Sequence, residues 1–364
     1  MKNIDRNSFF TFNLIKWYRK NKRNLPWRDT KSPYYIWLSE IILQQTRVKQ
    51  GLSYYEKFTS LYPTIKDLAD AEEIDVLKDW QGLGYYSRAR NLHATAQHIH
   101  KNLNGNFPDN YTDLRKLKGV GDYTAAAISS FAYDLPYAVL DGNVFRILSR
   151  FYGIDDPIDQ GNGKKIFQQK ADELIDIQNP AEHNQAIMEF AAMQCTPKNT
   201  TCSICPLKGE CFAYKNNLVN LLPVKSKKTK QKKRYFHYLI LSSNGKTIIN
   251  QRNEKGIWHK LYDFPLIEFS KLLDFKELKK SEAFKNLVGA ADITLQAQST
   301  TYKHLLTHQR IFTQFYHLKV ANFDNLNLAN AKTVDENDLI KYPIPKLIEN
   351  YLKEETNLLS LFRT

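Results

Sequence analysis

Cysteine is scarce in this sequence: four among 364 residues, all between positions 195 and 211. No apolar run reaches the roughly 18 residues that would mark a membrane-spanning helix. The opening Met1-Lys2-Asn3-Ile4-Asp5-Arg6 lacks the basic head, apolar middle and small-residue cleavage site of a secretory signal. Together these absences predict a cytosolic chain without a membrane partner, where disulfides are disfavoured. Acidic residues are also short, with 38 Asp and Glu against 52 Lys and Arg, giving a net charge of +14. A polyanionic partner would account for that excess. An Asn- and Lys-rich genome would as well, so charge alone does not identify the partner.

What is present is enough for two cores. The hydrophobic fraction is 42%, ordinary for globular proteins, and the length suits two domains. Residues 8–215 read as mostly helical. Tyr34 to Lys49 places Ile36, Trp37, Ile41 and Val48 at helical spacing behind Pro33. Ala125 to Tyr133 is small and apolar, so a buried helix is expected there. Val139 to Phe151 forms another, entered through Asp141-Gly142-Asn143, and Gln185 to Met193 leads into the first cysteine. Residues 222–234 carry Lys225, Lys227, Lys228, Lys230, Lys232, Lys233 and Arg234 and no apolar face, which predicts a flexible linker. Beyond it, Tyr235 to Leu241 and Lys246 to Asn250 flank a Ser-Asn-Gly turn, a hairpin pattern, and Tyr302 to Val320 alternates like further strands. The expected architecture is multidomain: an all-α domain over 1–221, a basic linker over 222–234, and an α+β domain over 235–364.

The spacing Cys195-x6-Cys202-x2-Cys205-x5-Cys211 is a four-thiolate set, and in a reducing compartment it points to metal. Zinc sites generally use two short knuckles. Here only the central pair is short, and the long arms suit the larger [4Fe–4S] cube. Zinc remains the other reading. Pro197 and Pro206 add loop-forming positions around the cluster.

Three further patterns carry chemistry. Gly119-Val120-Gly121, ahead of Asp122-Tyr123-Thr124-Ala125-Ala126, is a hairpin that bares backbone N–H groups at a helix N-terminus. Such a nest suits a DNA phosphate. Asp141 stands where a helix cap is expected, and a helix N-terminus also stabilises a carboxylate for work beside a sugar. Glu40 is the only charge between Pro33 and Thr46. Ile41, Ile42 and Leu43 follow it, and burial would raise its pKa enough for a general acid.

These stretches resemble the adenine DNA glycosylases of the MutY type, in the endonuclease III (helix–hairpin–helix) superfamily. The matching segments are Leu25-Pro26-Trp27-Arg28, Trp37-Leu38-Ser39-Glu40-Ile41, Leu43-Gln44-Gln45-Thr46-Arg47-Val48, Gly82-Leu83-Gly84-Tyr85-Tyr86-Ser87-Arg88-Ala89, the glycine hairpin, Leu140-Asp141-Gly142-Asn143-Val144 and the cysteine loop. In order they span about 190 residues. The resemblance implies that double-stranded DNA is the partner, that adenine opposite 8-oxoguanine or guanine is flipped from the stack and removed, and that a monomer associated with the nucleoid does this. It implies Glu40 as the acid that protonates the base, Asp141 as the carboxylate facing the developing sugar cation, and Asn143 as their support. Bifunctional relatives have lysine at the position of Tyr123. A phenol forms no Schiff base, so strand cleavage is not expected.

Trp27 and Arg28 are implied at the adenine pocket, and Gln45, Thr46, Leu83 and Tyr85 near the lesion, the last two as wedges into the stack. Trp258 to Pro265 resembles the family's Nudix-like C-terminal domain, without the acid-rich metal-binding helix of active Nudix hydrolases. Its recognition loop would be Leu306-Thr307-His308, where the family more often has Phe-Ser-His. Thr307 keeps a hydroxyl; Leu306 loses an aromatic ring. Three alternatives stand beside this reading: a bifunctional pyrimidine-lesion glycosylase, a non-catalytic DNA-binding protein, and a Nudix nucleotide hydrolase. Tyr123, the paired carboxylates and the missing acidic helix argue against them in turn.

Overall fold

A computed structural model describes residues 5–226, 231–328 and 331–361, with side chains described through residue 354. The chain divides into two compact units, residues 1–70 with 91–228 and residues 71–90 with 229–364. In chain order the helices up to residue 228 are α1 (Arg6–Asn21), α2 (Pro33–Leu43), α3 (Val48–Leu61), α4 (Ile65–Asp70), α5 (Glu73–Asp79), α6 (Ser87–Asn102), α7 (Tyr111–Leu114), α8 (Asp122–Tyr133), α9 (Gly142–Tyr152), α10 (Gly161–Leu174), α11 (Pro180–Met193) and α12 (Phe212–Lys215).

The first unit is helical because apolar residues recur at helical spacing and its caps are well placed. In α8, Thr124 to Phe131 are all buried, as their small apolar character predicts. In α9, Asp141 caps the first turn and Gly153, with φ of 78°, ends the helix in the left-handed region. Phe10, Trp37, Phe58, Phe151, Phe167 and Phe190 are fully buried and fill this core.

One helical expectation is corrected. The stretch from Tyr34 to Lys49 is not continuous: α2 stops at Leu43 and α3 starts at Val48. Gln45 takes a φ of 56°, which an α-helix cannot contain. The break turns Gln44 so that its side-chain amide donates to Thr124 Oγ1 at 3.3 Å.

The second unit is built on strands β1 (Lys232–Ser243), β2 (Lys246–Gln251), β3 (Tyr262–Asp263), β4 (Leu266–Phe269), β5 (Ile293–Gln298), β6 (Tyr302–Leu305), β7 (Gln309–Val320) and β8 (Ala331–Asp335), with helices α13 (Phe275–Lys280), α14 (Glu282–Val288) and α15 (Lys346–Leu361). The main path is β3-β2-β1-β7-β5, with β4 on β1, β6 on β7 and β8 on β2. β1 and β7 run parallel over eleven residue pairs, from Lys232 with Gln309 to Ser242 with Lys319. The Ser-Asn-Gly turn forms as the sequence predicts: Asn244 and Gly245 both have positive φ, 52° and 75°, and Ser243 pairs with Lys246. Leu239, Leu241, Tyr316 and Leu318 pack against Leu278 and Phe284 in one core.

The basic segment 222–234 is shorter as a linker than its composition suggests. Val224 accepts from the Ile158 N–H at 3.1 Å and the Ser226 N–H donates to Asp159 Oδ1 at 2.9 Å, so its first residues belong to the helical unit. Lys232, Lys233 and Arg234 belong to β1, because backbone pairing with β7 is indifferent to their charge. Lys227, Lys228 and Lys230 lie outside the described residues.

Candidate active site

The first unit contains a cavity of about 180 Å³. Glu40, Tyr123, Asp141 and Asn143 line it, with Trp27, Arg28 and Thr46 at its walls. The turn at Pro26–Arg28, α2, the start of α8 and the start of α9 therefore converge on it.

Glu40 is in the last part of α2, whose residues from Ile36 to Ile42 are all buried. It is 7% exposed. Burial raises its carboxyl to about 7; Asp141 adds to the rise, while the Tyr123 hydrogen bond and Arg28 oppose it. The Tyr123 hydroxyl donates to Glu40 Oε2 at 2.7 Å and also lies 3.3 Å from Met188 Sδ. The Tyr123 phenol is itself held well above its ordinary value, first by burial and then by Glu40.

Asp141 faces the same cavity in a different setting. Its Oδ1 accepts from the Asn143 and Val144 N–H groups at 2.9 and 2.8 Å, and its Oδ2 from Asn143 Nδ2 at 2.7 Å. Burial leaves its carboxyl above the ordinary value, although those three hydrogen bonds and Arg146 oppose the rise. Asn143 is held in turn: Arg146 Nη2 donates to its Oδ1 at 3.0 Å. The same guanidinium donates through Nε to the Cys195 carbonyl at 2.7 Å and through Nη2 to the Ala191 carbonyl at 2.6 Å. A continuous hydrogen-bonded path thus joins Asp141 to the backbone of the cysteine loop.

Most of the side chains expected from the sequence meet in this cavity, and others join them. Glu189, on α11, is also in the wall. Its side chain is 1% exposed and forks between Arg23 and Arg28, at 2.6 and 2.8 Å. Those hydrogen bonds outweigh burial and lower its carboxyl to about 2. The signal was available, since Glu189 is the lone charge among Ala186, Ile187, Met188, Phe190 and Ala191, the pattern that singled out Glu40. Gln185 and Met188 are further lining residues that no motif marked. Gln45 is exposed at the break after α2 and does not line the cavity, whereas its neighbour Thr46 does.

Trp27 is buried edge-on against Tyr55, 5.2 Å between ring centroids. Gly119 has a φ of 82° and Gly121 occupies the N-cap of α8. The hairpin therefore needs glycine at Gly119, and a Cβ there would also strike Asn91 at 2.9 Å. Val120 is buried.

Leu83, Tyr85, Thr307 and His308 belong to the second unit, around a separate cavity of about 470 Å³. The Tyr85 hydroxyl and Thr307 Oγ1 are 2.9 Å apart. Tyr85 is 52% exposed and Leu83 only 7%. Gly82, Gly84 and Tyr85 all have positive φ, and the loop is tied by Trp80 Nε1 donating to the Gly84 carbonyl at 3.0 Å. In the Nudix-like portion, Glu277 completes a capping box with Asp274, and Glu282 pairs with Lys285.

The four cysteines are all free thiols. Burial pushes Cys205 up to about 12 and raises Cys202 and Cys211, and each of the three also feels the neighbouring cysteines. Arg150 joins the group: its Nη1 is 3.5 Å from Cys195 Sγ, and its carbonyl lies 3.5 Å from Cys211 Sγ. Among the described residues, no three His, Cys, Asp or Glu side chains are gathered as a single metal ion would need.

Comparison with known proteins places this geometry. Residues 38–176 match the HhH-GPD superfamily of base excision DNA repair proteins, and residues 237–354 match the NUDIX domain. An adenine DNA glycosylase of Buchnera aphidicola subsp. Baizongia pistaciae is 34% identical over 94% of this chain and 97% of its own. One from Buchnera aphidicola subsp. Schizaphis graminum is 39% identical over 74% of this chain and 78% of its own. A solved thermostable thymine-DNA glycosylase superposes with a TM-score of 0.53 at 26% identity, covering 58% of this chain and 97% of that one. A helical unit with a glycine hairpin, two carboxylates across a buried cavity and a Nudix-type second domain is the plan of a helix–hairpin–helix DNA glycosylase. Within that class, the chain belongs to the adenine DNA glycosylase family.

Proposed function

We propose that this protein removes adenine from duplex DNA where it stands opposite 8-oxoguanine or guanine, by hydrolysis and without a lyase step. The observation that carries the reading is Glu40: a buried carboxyl raised to about 7, hydrogen-bonded by Tyr123, in one cavity with the capped Asp141. Near neutral pH such a group is partly protonated and can act as a general acid. It gives its proton to a ring nitrogen of the flipped adenine. The N-glycosidic bond breaks, its electron pair leaves with the base, and positive charge spreads over the sugar C1′ and ring oxygen. Asp141, whose carboxylate accepts three hydrogen bonds, faces that charge. A water then adds to C1′ and gives its proton to Glu40, which restores the acid. Tyr123 orients Glu40 and supplies no amine, so no covalent imine forms. Glu189, with Arg23 and Arg28, offers fixed polar groups for the edge of the base.

Recognition of the opposite base is assigned to the second unit. Tyr85 and Leu83 are the proposed wedges and Thr307 and His308 the polar contacts, around the cavity of about 470 Å³. The partner is double-stranded DNA, met by the chain's basic charge and by the Gly119–Gly121 hairpin, a nest for phosphate.

The test uses duplexes with adenine opposite 8-oxoguanine, guanine or thymine, and one with thymine glycol opposite adenine. Strand breakage only after alkali, at the adenine of the first two, is the expected result. Breakage at thymine glycol without alkali would overturn it.

A [4Fe–4S] cluster held by Cys195, Cys202, Cys205 and Cys211 fits the donor set. All four thiols are unbridged, and the Arg150 guanidinium lies 3.5 Å from Cys195 Sγ, which suits an anionic cluster. Bound there, the cluster would keep the thiols deprotonated and fix the loop; Arg146 would pass that rigidity to Asn143 and Asp141. Protein purified anaerobically is expected to contain iron and acid-labile sulfide in equal amounts. Zinc without sulfide would refute the assignment.

A further inference from the structure

A groove of about 890 Å³ in the first unit adjoins the catalytic cavity at Tyr123. Its floor is aromatic and its rim basic. Tyr111 and Tyr137 stack nearly parallel, 12° between planes and 4.5 Å between centroids, and Tyr137 remains 40% exposed. Leu140 and Phe145 add apolar lining, and Lys164 and Lys165 line it as exposed side chains. Gly119 and Gly121 of the hairpin form part of the wall.

We propose that this groove seats the nucleotide next to the target adenine in the same strand, its base against the tyrosine pair and its phosphate between the glycine hairpin and the two lysines. The proposal rests on the glycosylase reading and adds a subsite to it. Continuity is the first argument: Tyr123 lines both the catalytic cavity and the groove. A strand that delivers a base to the cavity has its next nucleotide at the groove. The second argument is chemical. Flipping one base uncovers a face of its neighbour, and an exposed aromatic ring replaces that lost stacking for any of the four bases.

Charge is the third. Of the two acids of the groove, Asp122 is paired with Arg115 at 2.8 Å and accepts from the Tyr111 hydroxyl at 3.2 Å, which leaves Asp172, bonded to the neutral Gln168 amide at 2.9 Å, as one carboxylate against two lysines. The lysines and the hairpin N–H groups set the sign seen by a phosphate. The Asp122 contact also pins the Tyr111 ring in place. Tyr137 is fixed through its backbone, since its carbonyl accepts from Asn184 Nδ2 at 2.8 Å, so changing its ring leaves that anchor intact.

A cycle of affinities tests this. The full-length protein is titrated with a duplex whose target is 2′-fluoro-deoxyadenosine opposite 8-oxoguanine, which resists hydrolysis. Further duplexes replace one flanking nucleotide, on either side in turn, with a base-free tetrahydrofuran. We expect Tyr137→Ser to weaken binding about tenfold and Tyr137→Phe to leave it near wild type. Removing the base on one side costs the wild type a similar factor and costs Tyr137→Ser nothing more. Losses that multiply on both sides, or wild-type affinity in Tyr137→Ser, would overturn the subsite. Excision of unmodified adenine by the same wild-type preparation reports separately on the glycosylase reading.

Discussion

Replacing Glu40 with glutamine is expected to lower the single-turnover rate of adenine excision by at least about a thousandfold, near the upper range for loss of a general acid, while DNA affinity stays within about threefold. Glutamine matches the shape of the carboxyl and its oxygen still accepts from Tyr123, so the cavity keeps its form. What it lacks is a proton acidic enough to transfer. In the wild type, the protonated fraction of Glu40 falls as pH rises through about 7. Excision should therefore decline above that pH, approaching tenfold per unit. The same substitution should stabilise the fold. Below the ordinary carboxyl value of 4.5, Glu40 is protonated whether folded or unfolded, and its burial carries no charge penalty. From 4.5 to about 7 only the unfolded chain releases the proton. Above that, the folded protein holds a buried carboxylate at a cost of about 3 kcal/mol. Glu40→Gln should accordingly melt several degrees higher at pH 8 and no higher at pH 4.5. An excision rate near wild type, or a lower melting temperature at pH 8, would remove Glu40 from this role.

The features legible in the sequence are those that act through short-range pattern. Glu40 stood out as one charge in an apolar run, Asp141 as a cap, and Gly119 as a residue ahead of a helix start; the structure places all three as their local chemistry requires. The break at Gln45 was not legible, because the apolar spacing carries on through it and only its left-handed backbone interrupts the helix. Glu189 was missed for another reason. Its lone charge in an apolar run predicts burial as it does for Glu40, but its partners Arg23 and Arg28 lie more than 160 residues earlier in the chain, so the ion pair itself is not legible locally. Lys232 to Arg234 show the opposite error: their charge reads as linker, while the parallel pairing that makes them strand depends on Gln309, Arg310 and Ile311, far along the chain in β7. Local chemistry is visible in one stretch of sequence; pairing across the chain is not.

Asp141→Asn is expected to lower the excision rate by about a hundred- to a thousandfold, through loss of charge facing the oxocarbenium-like sugar. The fold should survive, because asparagine is as good a helix cap as aspartate and its oxygen can still accept from the Asn143 and Val144 N–H groups. Its new amide, however, meets the Asn143 side-chain amide, which donates to Oδ2 in the wild type. Two donors face each other unless Asn143 turns over. If it turns, it presents its amide to Arg146, which at present donates to its oxygen. The disturbance would then reach Cys195, whose carbonyl the same guanidinium holds. A second change separates charge from geometry. Asn143→Asp in the Asp141→Asn background restores an acceptor for both the amide introduced at position 141 and Arg146, with the negative charge moved off that position. If Asp141 acts by its own charge, that double variant should recover thermal stability without recovering the rate. Recovery of both would make the network, and not the carboxylate at Asp141, the source of catalysis.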